Sequence, residues 1–353
     1  MKIAQIAPLA ESVPPRLYGG TERVVYYLVE ELVRLGHDVT LFASGDSQTS
    51  ARLVACAPRA LRLDPRVRDP LPQHLVMLER VRGRAHEFDV LHFHVEHLHL
   101  PLFRGIARKT VTTLHGRLDL PDLVPLYQEF NDMPLVSISD AQRRPLAGAN
   151  WIATVYHGLP EAVCPYNPAP RGEYLAFLGR VSPEKGLERA IEIARRAGTR
   201  LRIAAKIDRA DEGYWRSRIK PLLADPLIEF IGEVDEATKA ALLGNALALL
   251  FPIDWPEPFG LAMIEAMSCG TPVIAWPHGS VPEVVEHGVT GFIVNSIDQA
   301  VAAVHDLERL ERAGVRRRFE ERFSAARMTR DYLAAYRMLG RRGPRPASME
   351  TAA

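Results

Sequence analysis

The sequence predicts an α/β protein made of two doubly wound, Rossmann-like domains facing each other. Three observations carry that prediction. Short apolar runs alternate with helical patterns, the signature of βαβ units and a parallel sheet covered on both faces. The alternation breaks at a stretch holding Pro160, Pro165, Pro168 and Pro170, then restarts with the same layout. A chain of 353 residues with 47% hydrophobic content can fill two cores of ordinary size.

The elements follow in order. Lys2–Ala7 is a short apolar run suited to a buried parallel strand. A Pro/Gly loop runs from Pro8 to Thr21. Val24, Leu28, Leu32 and Leu35 then recur at helical spacing, and Gly36 ends that helix. Strands are expected at Val39–Phe42, Val90–Phe93, Val111–Leu114, Leu135–Ile138 and Trp151–Val155, with helical patterns between several of them, as in Gln73–Glu87. After the proline stretch the expected order is a strand at Tyr174–Leu178, a loop at Gly179–Gly186, a helix at Leu187–Ala197 and a strand at Leu201–Ala204. Later strands are expected at Glu229–Ile231, Ala248–Phe251, Val273–Ala275 and Gly291–Val294. Ala302–Tyr336 reads as helical, with Phe319, Phe323, Met328, Tyr332 and Tyr336 as buried anchors. The domain expectation is 1–160, a linker at 161–172, a second domain at 173–320, a C-terminal helix at 321–340 and a disordered tail at 341–353. Doubly wound sheets bind ligands at the carboxyl ends of their strands, so two facing domains share a cleft there.

Composition removes several classes. Lys and Arg total 44 against 43 Asp and Glu, which supplies no global field for nucleic acid. Cys56, Cys164 and Cys269 fit neither a metal spacing nor a disulfide framework, so a cytoplasmic location is expected. No apolar run approaches the roughly 20 residues that span a bilayer. The N-terminal run breaks at Pro8 and reads as a strand rather than a signal peptide. There is no G-x-G-x-x-G and no G-x-x-x-x-G-K-[ST], so dinucleotide binding and P-loop phosphoryl transfer lose their sequence support. No Asp-x-Asp pair is present to hold a divalent ion against a diphosphate, and no metal or cofactor is expected.

The most informative stretch is Glu257-Pro-Phe-Gly-Leu-Ala-Met-Ile-Glu265. Two carboxylates stand eight residues apart, around a glycine where a loop becomes a helix. A helix N-terminus offers unpaired N–H groups and partial positive charge to an anion. One carboxylate reaches a neutral group beyond a bound phosphate, and the other grips a neighbouring hydroxylated ring. Alternatively, the pair merely caps and solvates a helix. A second stretch, Gly179-Arg180-Val-Ser-Pro-Glu-Lys185-Gly186, follows a strand and precedes a helix. Arg180 and Lys185 can neutralise a leaving diphosphate, at roughly 1.5–3 kcal/mol per charge-assisted bond. A solvated surface loop explains them equally well on spacing alone.

Weaker signals complete the set. Gly19 and Gly20 allow close backbone approach at the start of the first helix, or form a flexible turn with Thr21 as N-cap. His92, His94, His97 and His99 suggest a metal, but a polar strand end is the plainer reading. His115, at a strand end before Gly116, can bond a sugar hydroxyl, shuttle a proton, or serve structure alone. Ser139 reads as an N-cap.

Together these residues resemble a family 4-type retaining glycosyltransferase of the GT-B fold, over roughly residues 1–340. The most specific element is the E-x7-E pair Glu257 and Glu265 within EPFGLAMIEAMSCGTPVIA. Gly179-Arg180 with Lys185-Gly186 comes next, then the Gly-Gly loop and His115-Gly116. The resemblance implies that Arg180 and Lys185 bind the donor's diphosphate. Glu257 would contact hydroxyls of the transferred sugar, and backbone N–H groups near Phe259, Gly260 and Leu261 would hold the distal phosphate. Glu265 would bind the ribose. Gly20 would approach the diphosphate, and His115 would lie near the reacting face of the sugar. Where the family often has Asn-Gly, this chain has His157-Gly158.

The function expected is metal-independent transfer from a nucleotide diphosphate sugar, UDP- or GDP-linked, to a sugar, lipid-linked or small-molecule hydroxyl acceptor. A nucleotide-sugar epimerase of the same fold and a non-catalytic nucleotide-sugar-binding subunit are the alternatives. Arg80, Arg82, Arg84, Arg143 and Arg144 are candidates for a peripheral membrane patch, or for a solvated face.

Overall fold

The computed structural model describes residues 1–17 and 19–339. Tyr18 of the glycine loop, Gly340 and the tail expected at 341–353 lie outside the described residues. The chain divides into two compact units. The first comprises Met1–Pro15, Gly19–Tyr156 and 328–339; the second comprises His157–Arg327 together with Arg16 and Leu17. Residues 161–172 belong to the second unit.

The first unit holds seven parallel strands: β1 (Lys2–Ile6), β2 (Asp38–Ser44), β3 (Arg52–Ala57), β4 (Val90–Phe93), β5 (Thr110–Thr113), β6 (Leu135–Ser137) and β7 (Trp151–Thr154). Their order in the sheet is β3-β2-β1-β4-β5-β6-β7. The inner strands are buried on both faces, which is why they read as mostly apolar or β-branched runs, with Gln5 and His92 as buried polar exceptions. β3 has no counterpart among the expected strands. It lies at the sheet edge, and its first four residues are exposed or half-buried, so its signal is diluted. The expected helix Gln73–Glu87 is instead Leu71–Gly83 followed by a separate 3-10 turn at Ala85–Glu87. Phe42, Phe93, Phe103, Leu78 and Met133 fill the core.

The second unit holds β8 (Tyr174–Arg180), β9 (Arg200–Lys206), β10 (Ile228–Gly232), β11 (Ala248–Phe251), β12 (Val273–Ala275) and β13 (Gly291–Ile293), in the parallel order β10-β9-β8-β11-β12-β13. Gly179 and Arg180 do not start a loop as expected. They continue β8, pairing with Ala205 and Lys206 of β9. The helix Leu187–Ala197 has the expected bounds. Its buried face, Leu187, Ala190, Ile191 and Ala194, packs into a core with Leu175, Ile203 and Leu250.

The C-terminal segment is not one helix. It forms Ile297–His305, Arg312–Phe323 and Ala325–Leu339. Ser324 is extended and bridges Leu159. Leu159 N–H donates to Phe323 O at 2.9 Å, and Ala325 N–H donates to Leu159 O at 2.8 Å. That pairing stops the helix where residue spacing alone signals nothing. The five expected anchors, Phe319, Phe323, Met328, Tyr332 and Tyr336, are all buried. Among the described residues no helix is long and apolar enough to cross a membrane.

Candidate active site

In the second unit, β8 carries Arg180 to the carboxyl edge of its sheet. The chain then makes a 3-10 turn at Pro183–Lys185 before entering the helix Leu187–Ala197. That turn is tied to the segment after β11. Asp254 N–H donates to Glu184 O at 2.8 Å, and the Arg189 guanidinium donates to Asp254 Oδ2 at 2.7 Å. Lys185 is thereby brought to Glu257: Nζ lies 2.5 Å from Oε2, and Trp255 Nε1–H donates to the same oxygen at 3.0 Å. The ammonium also sits 4.6 Å from the Trp255 ring centroid. The Lys185 and Glu257 side chains are 17% and 11% exposed. A desolvated pair of this kind is held in one geometry far more firmly than a surface pair.

Glu257 is fixed from its backbone as well. Ser280 N–H donates to Glu257 O at 2.9 Å, and Ser280 Oγ donates to Phe259 O at 2.8 Å. Phe259 is buried edge-on against His157, with ring centroids 4.8 Å apart, so its backbone rather than its ring can serve a ligand. His157-Gly158 thus enters the packing beneath this loop. Gly260, in the left-handed region at φ 81°, is the N-cap of the helix Leu261–Ser268 and offers no side-chain cap bond. The N–H groups at that terminus are oriented for an anion. Glu265 lies further along the same helix and is buried against Lys239, with Nζ 2.5 Å from Oε1.

Arg180 stands among three carboxylates: Glu184 at 2.6 Å, Asp211 at 3.6 Å and Asp208 at 3.9 Å. Its side chain is 35% exposed. Pairs this accessible contribute about 0–1 kcal/mol, so a diphosphate can take the guanidinium over at little cost.

The other expected residues lie in the first unit. Gly19 is the N-cap of the helix Gly20–Arg34 and makes no side-chain bond; Thr21 lies inside the helix, so the Thr21 cap does not form. His115 follows β5. His94 Nε2–H donates to Gln5 Oε1 at 2.9 Å, which makes its Nδ1 the acceptor for His115 Nε2–H, also at 2.9 Å. Desolvation lowers His115 to about 3, so the imidazole is neutral at physiological pH. A proton shuttle needs a pKa near the working pH, and a hydroxyl contact does not. His92 is bonded to the Tyr336 hydroxyl and to Thr113, both at 2.8 Å, and His99 to Thr112 at 2.7 Å. His92 is thus held within β4, and His99 just before the short helix Leu100–Phe103. Ser139 caps as expected, its Oγ accepting from Gln142 N–H at 2.9 Å.

Family models cover most of this architecture. The model for glycosyl transferases group 1 matches residues 152–325, and that for glycosyltransferase family 4 matches residues 18–167. The chain belongs to the family 4, group 1 glycosyltransferases. A phosphatidyl-myo-inositol mannosyltransferase of Mycobacterium leprae is 27% identical over 355 residues, covering 86% of each chain. Among solved structures, AviGT4, a glycosyltransferase involved in avilamycin A biosynthesis, superposes with a TM-score of 0.74 at 24% identity, covering 97% of this chain and 99% of that one. HepE of Anabaena in complex with UDP-glucose gives 0.73 at 18%, covering 95% and 98%. The two Rossmann-like sheets of this glycosyltransferase are accordingly the GT-B fold.

Three residues of the glycosyltransferase escaped the reading of its sequence. Lys239 shares a helix face with buried Leu242 and Leu243, three and four residues on; a lysine at such a position is a readable signal. Trp255 lies two positions before Glu257 and belongs to no periodic pattern of its own. Glu96 has left-handed backbone, φ 53°, and accepts from His115 N–H and Gly116 N–H, both at 3.1 Å. Desolvation raises its carboxyl pKa, and those two bonds oppose the rise. The arginine patch is largely paired: Arg82 with Glu79 at 2.7 Å, Arg84 with Glu87 at 2.8 Å and Arg143 with Asp140 at 3.3 Å.

Glu22, in the first turn after the Gly-Gly loop, titrates anomalously. Burial raises its pKa from 4.5 to about 6, with the Glu11 carboxylate adding to the effect. The unfolded chain therefore releases this proton first as pH rises. Below the unfolded value the group contributes nothing; above the folded value it costs roughly 2 kcal/mol of stability. Glu22→Gln is expected to melt higher than wild type at pH 8 and level with it at pH 4. A thermal scan at the two pH values checks this, and an equal shift at both contradicts it.

Proposed function

We propose that this glycosyltransferase is cytoplasmic and moves a sugar from a nucleotide diphosphate sugar, UDP- or GDP-linked, to a hydroxyl acceptor, with retention of configuration and without a metal. The observation that carries the reading is the Lys185–Glu257–Trp255 cluster beside the helix terminus at Gly260. It brings a cation and a carboxylate, 72 positions apart in the chain, together beside a helix N-terminus, a set suited to a diphosphate and a hydroxylated ring. Lys185 and Arg180 take the diphosphate and stabilise it as it leaves, which is electrostatic preorganisation of the leaving group. The N–H groups near Phe259, Gly260 and Leu261 hold the distal phosphate. Glu257 accepts from hydroxyls of the transferred sugar, and Glu265 from those of the ribose. The solved UDP-glucose complex of a protein with this fold agrees with that donor class.

The acceptor is assigned to the first unit, with neutral His115 as a hydroxyl contact. Sugar, lipid-linked and small-molecule acceptors all present the required hydroxyl. The experiment is turnover with a panel of UDP- and GDP-sugars in excess EDTA, the anomeric configuration of the product being read by proton NMR. Retained configuration with undiminished rate supports the reading. Inversion, or loss of turnover on chelation restored by a divalent ion, refutes it.

A further inference from the structure

We propose that Lys239 is a positioning residue for donor binding: its buried ammonium holds the Glu265 carboxylate in the orientation that accepts the nucleotide's ribose hydroxyls. The inference rests on the reading of Glu265 as the ribose contact. Lys239 lies in the helix Glu236–Asn245, on the face that carries buried Leu242 and Leu243. Its side chain is 8% exposed and that of Glu265 is 7% exposed. Nζ stands 2.5 Å from Glu265 Oε1 and 2.6 Å from Glu236 Oε1. Glu236 is the outer partner, its side chain 36% exposed. The ammonium thus bridges a half-buried carboxylate to one that is largely buried.

The placement of Glu265 gives the bridge a purpose beyond tethering two helices. Glu265 is five residues past Gly260, or roughly 7.5 Å along the helix axis from the end assigned to phosphate. A carboxylate has two acceptor oxygens. Lys239 engages Oε1, which sets the plane of the group, and Oε2 is the atom assigned to the ribose diol. A buried carboxylate stripped of its cation reorients or takes a proton, and either change removes the acceptor. Lys239 therefore acts on the donor through Glu265 without touching it.

The test separates this role from simple tethering. The full-length wild type, Lys239→Gln and Lys239→Met are titrated calorimetrically with UDP and with 2′,3′-dideoxy-UDP, or with the guanosine pair where GDP binds the wild type more tightly. Lys239→Gln keeps the polarity and most of the length, and circular dichroism verifies the fold of both variants. The wild type is expected to prefer the ribonucleotide by at least about tenfold, as for bonds to a charged acceptor. Both variants are expected to lose that preference through weaker binding of the ribonucleotide, with dideoxynucleotide affinity unchanged. A variant that keeps the wild-type ratio, or that weakens both ligands equally, overturns the proposal. A wild type that does not discriminate overturns the ribose reading of Glu265 itself.

Discussion

Lys185→Ala is expected to lower sugar transfer by at least about tenfold, with the protein still folded, because one substitution removes two charge-assisted contacts. The ammonium is bonded to Glu257 at 2.5 Å and stacked on Trp255. Its loss would take a cation from the diphosphate of the proposed donor and leave a carboxylate only 11% exposed without its counter-charge. Glu257→Ala is expected to fall as far, from the sugar side of the same contact. Because the two residues act as a unit, the double variant is expected to be little worse than either single one. Steady-state rates for the three variants, with circular dichroism alongside, check this. Wild-type rates in both single variants contradict the assignment.

The second large effect is expected at Gly279, which contacts no ligand in the proposed scheme. Its φ is +58°, and a Cβ there would stand 2.3 Å from both the N and the O of Glu257. Alanine at this position must push the Glu257 backbone away while paying left-handed strain. Overpacking of this kind costs roughly 1–3 kcal/mol. The displaced carboxylate also loses its register with Lys185, so transfer is expected to drop by at least about tenfold, since misplacement of about 1 Å costs on the order of a hundredfold. Gly198 is the control: its φ is +63°, but a Cβ meets nothing within 4 Å. Gly198→Ala is expected to lose a little stability and no activity. Equal rates for the two variants contradict the account.

Much of the fold was legible because buried parallel strands are predominantly apolar runs. Val90–Phe93, Ala248–Phe251 and Val273–Ala275 have the bounds their sequences predict, as does the helix Leu187–Ala197. Elements shaped by partners remote in sequence were not legible. β3 is an edge strand, the continuation of β8 through Arg180 depends on β9, and the break at Ser324 depends on Leu159. The candidate site divides in the same way. The residue types and spacing of Arg180, Lys185, Glu257 and Glu265 were readable along the chain. Their pairings were not: Lys185 with Glu257 spans 72 positions, and Arg180 meets Asp208 and Asp211 from beyond the next helix and strand. Lys239 was the one missed residue with a local signal, a lysine on a buried helix face. Glu96 had none, since nothing local marks a glutamate held at positive φ.

The central claim is that the second unit binds a nucleoside diphosphate through fixed cations and a helix terminus. Thermal unfolding of the full chain in excess EDTA, with UDP, GDP, ADP and dTDP added in turn, tests it most directly. At 100 times its dissociation constant, a ligand that binds only the folded chain adds roughly 2.7 kcal/mol. The account predicts that at least one diphosphate raises the melting temperature of the wild type and that Lys185→Ala loses most of the rise. No shift with any of the four, or an undiminished shift in Lys185→Ala, would contradict it.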